Sequence, residues 1–82
     1  MKINVETGKR AAMDAIVEAL QQQPLNAVYC GKDKINPIAL VFEVQAQDTQ
    51  AVIHQAEKMI KARLGKSVAF RVVPPGSLLY YG

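Results

Sequence analysis

Two stretches of this chain carry apolar residues at helical spacing, and each runs into a residue that stops a helix. In the first, Met13, Ile16, Val17 and Leu20 fall at i, i+3, i+4 and i+7 beyond Gly8. Thr7 is placed to cap its start, and Pro24 ends it after Gln21, Gln22 and Gln23. In the second, Val52, Ile53, Ala56, Met59, Ile60 and Leu64 form the stripe, Asp48 or Thr49 supplies the cap, and Gly65 is the stop. A helix with one apolar stripe must bury it against another element. The rest of the chain therefore has to provide a shared surface for two helices.

Four segments read as that surface. Met1, Ile3 and Val5 alternate with Lys2, Asn4 and Glu6, the period of a strand with one face on a core. Ala27-Val28-Tyr29-Cys30 is a short β-prone run, and Gly31-Lys32-Asp33-Lys34 with Asn36-Pro37 behind it is rich in turn formers, so a hairpin is expected. Ile38-Ala39-Leu40-Val41-Phe42-Glu43-Val44 is the most apolar segment, with bulky residues at the even positions, and reads as a central strand. Val68, Phe70 and Val72 alternate with Ala69 and Arg71 in a last strand that ends at Pro74-Pro75-Gly76. The order strand, helix, strand, strand, helix, strand predicts an α+β ferredoxin-like βαββαβ sandwich, a four-stranded antiparallel sheet with both helices on one face. The first and third strands would be central, the second and fourth at the edges. The same elements paired in another order are the alternative.

With 82 residues, half of them apolar, and a formal net charge of +3, the chain has material for one domain spanning residues 1–82 and a small core. Cys30 is the sole cysteine, which excludes an intrachain disulfide and a zinc site built on paired cysteines, and fits a reduced, cytoplasmic setting. No apolar run approaches the roughly 18 residues of a membrane span, and the alternation at Met1-Lys2-Ile3-Asn4 is that of a strand where a signal peptide would need a long apolar stretch. A soluble, unprocessed protein with no membrane partner is expected.

The residues that carry chemistry are few and scattered. His54, the only histidine, sits on the helical wheel with Gln50, Gln55, Glu57 and Lys58 and reads as a solvated surface residue. Without a second histidine or cysteine there is no metal set, and no Ser-His-Asp order is present. Cys30 reads as a partly buried, inert thiol. Gly31-Lys32-Asp33-Lys34 lies in a hairpin turn and lacks the glycines that open a phosphate-binding helix. Lys58, Lys61, Arg63 and Lys66 complement the negative end of the second helix, with Glu57 and Lys61 spaced to pair at i, i+4. An RNA-recognition domain of this topology needs aromatics on its open sheet face, and the third strand offers only Phe42, in phase with Leu40 and Val44. The expectation is a protein that is not an enzyme and holds no metal or cofactor.

One stretch is familiar. Arg71-Val72-Val73-Pro74-Pro75-Gly76-Ser77-Leu78 resembles the end of the small C-terminal domain in the phenylacetate-coenzyme A ligase family of adenylate-forming enzymes. That domain commonly closes its last strand with a valine-rich run and a Pro-Gly-Ser-Leu turn, here Pro75, Gly76, Ser77 and Leu78, after a helix and a loop like Leu64-Gly65-Lys66-Ser67-Val68. The opening from Lys2-Ile3-Asn4-Val5 into a helix ending at Leu20 is also similar to the family's first strand and helix. After the leucine the family continues with proline, arginine and a Gly-Lys segment whose lysine contacts the adenylate. This chain has Leu79, Tyr80, Tyr81 and Gly82 instead. The resemblance thus implies a detached lid-type domain with the fold and without the catalytic lysine. Fold-level analogy does not transfer function.

The leading expectation is a non-catalytic module that acts by self-association, as a homodimer, or by binding a protein partner. Leu78, Leu79, Tyr80 and Tyr81 make an apolar tail that would pack on the domain or on a second subunit. The alternative is a regulatory domain that senses a small ligand at the first strand-to-helix turn, with Glu6, Thr7 and Gly8 beside the free amides of a helix start. A third reading, weak nucleic-acid or acidic-partner binding, rests on Lys58, Lys61, Arg63 and Lys66 and is not favoured by a net charge of only +3.

Overall fold

A computed structural model of the chain describes residues 1–65 and 68–74. The elements come in the order β1 (Lys2–Glu6), α1 (Arg10–Gln21), β2 (Val28–Lys32), β3 (Ala39–Glu43), α2 (Thr49–Leu64) and β4 (Arg71–Val73). They form one four-stranded sheet of order β2-β3-β1-β4 in which every pairing is antiparallel. This is the ferredoxin-like α+β arrangement. β1 and β3 occupy the centre, where both edges of a strand are hydrogen-bonded.

Alternation decides which face meets the helices. Ile3 and Val5 of β1, Leu40 and Phe42 of β3 and Val72 of β4 point into one core with Ala12, Met13, Ile16 and Leu20 of α1 and Val52, Ala56 and Ile60 of α2. Among the described residues Phe42 is the largest side chain fully removed from water, and its ring meets Tyr29 at a centroid distance of 5.4 Å with planes tilted by 48°. The opposite face carries the intervening residues, among them Lys2, Asn4 and Glu6 of β1, Val41 and Glu43 of β3, and Arg71 of β4. Phe42 is thus on the helix side, away from the open face.

Several boundaries differ from the sequence reading, each for a local reason. The second strand runs on through Gly31 to Lys32 because the register shifts between Tyr29 and Gly31. Gly31, at φ 103°, takes a backbone conformation that a side chain disfavours. The last strand is only Arg71–Val73, pairing Arg71 with Glu6, Val72 with Val5 and Val73 with Asn4. Beyond Glu6 the chain leaves the sheet into α1, so residues 68–70 have no strand to lie against, although Val68 and Phe70 still pack on the core. At the first helix the cap position falls on Lys9, which has no capping side chain. At the second, Asp48 Oδ1 accepts from the Ala51 N–H at 3.2 Å, and Gly65 ends the helix at φ 76°. Among the described residues no helix is long and apolar enough to cross a membrane.

Candidate functional site

The turn from β1 into α1 was the expected ligand position, and its side chains are already engaged. Thr7 is 2% exposed. Its hydroxyl donates to the Ala69 carbonyl at 3.1 Å and accepts from the Lys9 N–H at 3.3 Å, while its own N–H donates to the Ile38 carbonyl at 3.2 Å. Thr7 therefore ties three segments together and does not cap α1. Glu6 is held as tightly: Arg71 Nε and Nη2 donate to Oε1 at 3.0 and 2.7 Å, and Asn36 Nδ2 donates to Oε2 at 3.1 Å. Gly8 is exposed with open space around it. The structure brings Glu6, Thr7 and Gly8 together as a structural knot in which the two polar side chains face protein partners.

Just past this knot, α1 begins against electrostatic preference. Lys9 and Arg10 sit at the positive end of the helix dipole, and the first turn contains no acidic residue. Arg10 also lines a cleft of about 430 Å³ between α1 and the edge strand β2, together with Met13, Asp14, Val17, Tyr29, Lys32 and Leu40. Its floor is apolar, with Met13 and Leu40 buried, and its rim is charged. Sequence reasoning missed this place. The signal was the run Arg10, Asp14, Val17 at i, i+4 and i+7 along the border of the apolar stripe.

The remaining candidates fall as follows. Cys30 is exposed, at the bulge of β2, where its thiol donates to the Val28 carbonyl at 3.5 Å; the expectation of a partly buried thiol is corrected, since Tyr29 takes the core side of the strand and the next residue faces out. His54 is exposed on α2, as expected. Of the basic residues at the end of α2, Arg63 reaches across to Glu18 of α1 at 2.8 Å, and no ion pair joins Glu57 to Lys61. The tail residues Leu78, Leu79, Tyr80 and Tyr81, and the turn Pro75, Gly76, Ser77 and Leu78, lie outside the described residues, as does Lys66.

Among the described residues the exposed large apolar side chains lie on one element. Val28, Ile35 and Ile38, 62%, 77% and 42% exposed, all belong to the β2–β3 hairpin. The loop that carries the two isoleucines is braced from within, as the Asp33 carboxylate accepts from the N–H groups of Ile35 and Asn36 at 2.7 and 3.1 Å, and Asn36 Oδ1 accepts from Ile38 at 3.2 Å. Among the described residues no group of three or more histidine, cysteine or acidic side chains is placed to hold a metal. Comparison with family models, with curated proteins and with solved structures finds no match to this chain.

Proposed function

We propose that this chain is a non-catalytic ferredoxin-like module that works by association, with a second copy of itself or with a protein partner, through the β2–β3 hairpin. The observation that carries this reading is the exposure of Val28, Ile35 and Ile38 on that one element. Large apolar side chains exposed on a braced loop, Ile35 and Ile38, with Val28 farther along the same hairpin, lower their free energy when a partner covers them. The loop is ordered by Asp33 and Asn36 before any partner arrives, so little conformational entropy is lost when it docks. A domain of this size also gains from the extra burial.

The resemblance to the small C-terminal domain of the phenylacetate-coenzyme A ligase family supports the same reading from another side. A lid domain works by packing against a larger partner, and this one has Leu79, Tyr80 and Tyr81 where that family carries its adenylate-contacting segment. The basic residues of α2 support nucleic-acid binding less well, since Arg63 is engaged by Glu18.

Light scattering over a wide range of protein concentration tests the proposal, with the wild type beside Ile35→Ser/Ile38→Ser and Val28→Thr. A dimer in the wild type, or a partner retained on the immobilised chain, that is lost in the hairpin variants at unchanged melting temperature supports it. A wild type that stays monomeric and retains no partner, or an association indifferent to these substitutions, overturns it.

A further inference from the structure

The α1–β2 cleft has its own chemistry, independent of the hairpin tip. Its volume of about 430 Å³ lies within the range of small-molecule sites. Met13 and Leu40, both buried, form its floor, and the half-buried Val17 and Tyr29 form its walls. Tyr29 is a fixed wall because its ring rests on Phe42. An apolar body entering the cleft would meet these four side chains.

The rim chooses the charge of that body. Arg10 comes from α1 and Lys32 from β2, so two cations from separate elements border the same space, and Asp14 lies one helical turn beyond Arg10. None of the three has an ion-pair or side-chain hydrogen-bond partner among the described residues, although Arg10 and Asp14 are spaced at i, i+4. Glu18, at the far end of the cleft, is neutralised by Arg63 at 2.8 Å. The open charges around the apolar floor are therefore two positive and one negative. A purely anionic ligand meets Asp14, a purely cationic one meets Arg10 and Lys32, and a molecule with both charges can satisfy the whole rim.

We propose that this cleft binds a small zwitterion with an apolar body, an α-amino acid with a hydrophobic side chain being the simplest member of the class. Its carboxylate is received by Arg10 and Lys32, its ammonium group by Asp14, and its side chain by Met13, Leu40 and the Tyr29 ring. The site is distinct from the turn at Glu6, Thr7 and Gly8, whose polar side chains are taken up internally.

Titration of the whole chain, followed by backbone amide NMR, tests this with L-phenylalanine as the probe. Its amide, which lacks the carboxylate, and N-acetyl-L-phenylalanine, which lacks the cation, serve as comparators. L-phenylalanine is expected to give saturable shifts at Met13, Val17, Tyr29 and Lys32 and none at His54. Each comparator is expected to bind about tenfold more weakly, the loss of one charged contact. Arg10→Gln/Lys32→Gln should weaken the amino acid to a similar degree, and Asp14→Asn should abolish the preference over the acetylated compound. Absence of saturable shifts at the cleft, equal binding of the three compounds, or binding indifferent to both variants overturns the proposal. The three-compound comparison uses the wild-type chain alone and so stands even where a variant fails to fold.

Discussion

Arg71 binds Glu6 through one carboxylate oxygen, with Nε and Nη2 donating to Oε1 at 3.0 and 2.7 Å, and leaves Oε2 to Asn36 at 3.1 Å. The arginine is 69% exposed and the glutamate only 11%. That asymmetry sets what each contributes, because a carboxylate drawn partly out of water needs its donors, whereas a guanidinium released from the pair returns to solvent.

Glu6→Gln is therefore expected to lower stability by about 1–2 kcal/mol, since it weakens three charge-assisted hydrogen bonds at once. Arg71→Gln should cost less, about 0.5–1 kcal/mol, because Asn36 still serves the carboxylate. Urea unfolding of both single variants and the double variant measures the coupling. Strictly additive losses would mean that the pair contributes nothing beyond its members.

The Thr7 hydroxyl gives a sharper test of the same knot. Thr7→Val keeps the shape and removes the donor to Ala69 and the acceptor for Lys9, two hydrogen bonds made by a residue that is itself buried. A loss of about 1–3 kcal/mol is expected. Thr7→Ser retains the hydroxyl and should cost under about 1 kcal/mol, the loss of one buried methyl. A Thr7→Val variant as stable as the wild type, with the loss confined to Thr7→Ser, would assign the residue a packing role only.

The start of α1 should be improvable. Lys9 occupies the cap position with extended backbone geometry and no side-chain hydrogen bond, and it places a cation at the positive end of the helix. Lys9→Asp supplies an acceptor and reverses the charge, and a gain of about 1 kcal/mol is expected in thermal or urea unfolding. No gain would show that the helix start is already satisfied by other means.

Periodicity carried the fold. The alternation of Ile3 and Val5, the phase of Leu40 and Phe42, and the stripes containing Ile16, Leu20, Ala56 and Ile60 are local patterns, and all of these residues are in the core. What remained illegible depends on pairs far apart in sequence. Thr7 looks like a cap until β4 brings Ala69, 62 positions away, within reach of its hydroxyl. Nothing near Glu6 marks it as the partner of Arg71, 65 positions away. Cys30 reads as half-buried until the pairing of β2 with β3 turns Tyr29 to the core against Phe42, which leaves the next residue, Cys30, exposed. The α1–β2 cleft is of the same kind, because Arg10 and Lys32 become neighbours through topology rather than through spacing.

A last prediction concerns pH. The Met1 ammonium group sits 2.8 Å from Glu43 Oε2 and donates to the Val44 carbonyl at 2.8 Å. The hydrogen bond from that ammonium group is the main influence holding the Glu43 carboxyl below its ordinary value. Partial desolvation opposes it, and the charges of the amine and of Lys2, with the Val44 N–H, reinforce it. A carboxyl whose pKa is lower in the folded state than in the unfolded chain stabilises the fold above the unfolded pKa, and that contribution is lost as pH falls through the folded value. Acetylating the Met1 amine removes the cation, so the NMR titration midpoint of Glu43 should rise toward the ordinary carboxyl range. The stability difference between free and acetylated chains should be largest near neutral pH and shrink in acid, down to a constant remainder from the lost charge assistance in the Val44 hydrogen bond. Glu43→Gln should remove the pH-dependent part and keep the remainder. A Glu43 midpoint that acetylation does not move would show that the ammonium group is not what lowers it.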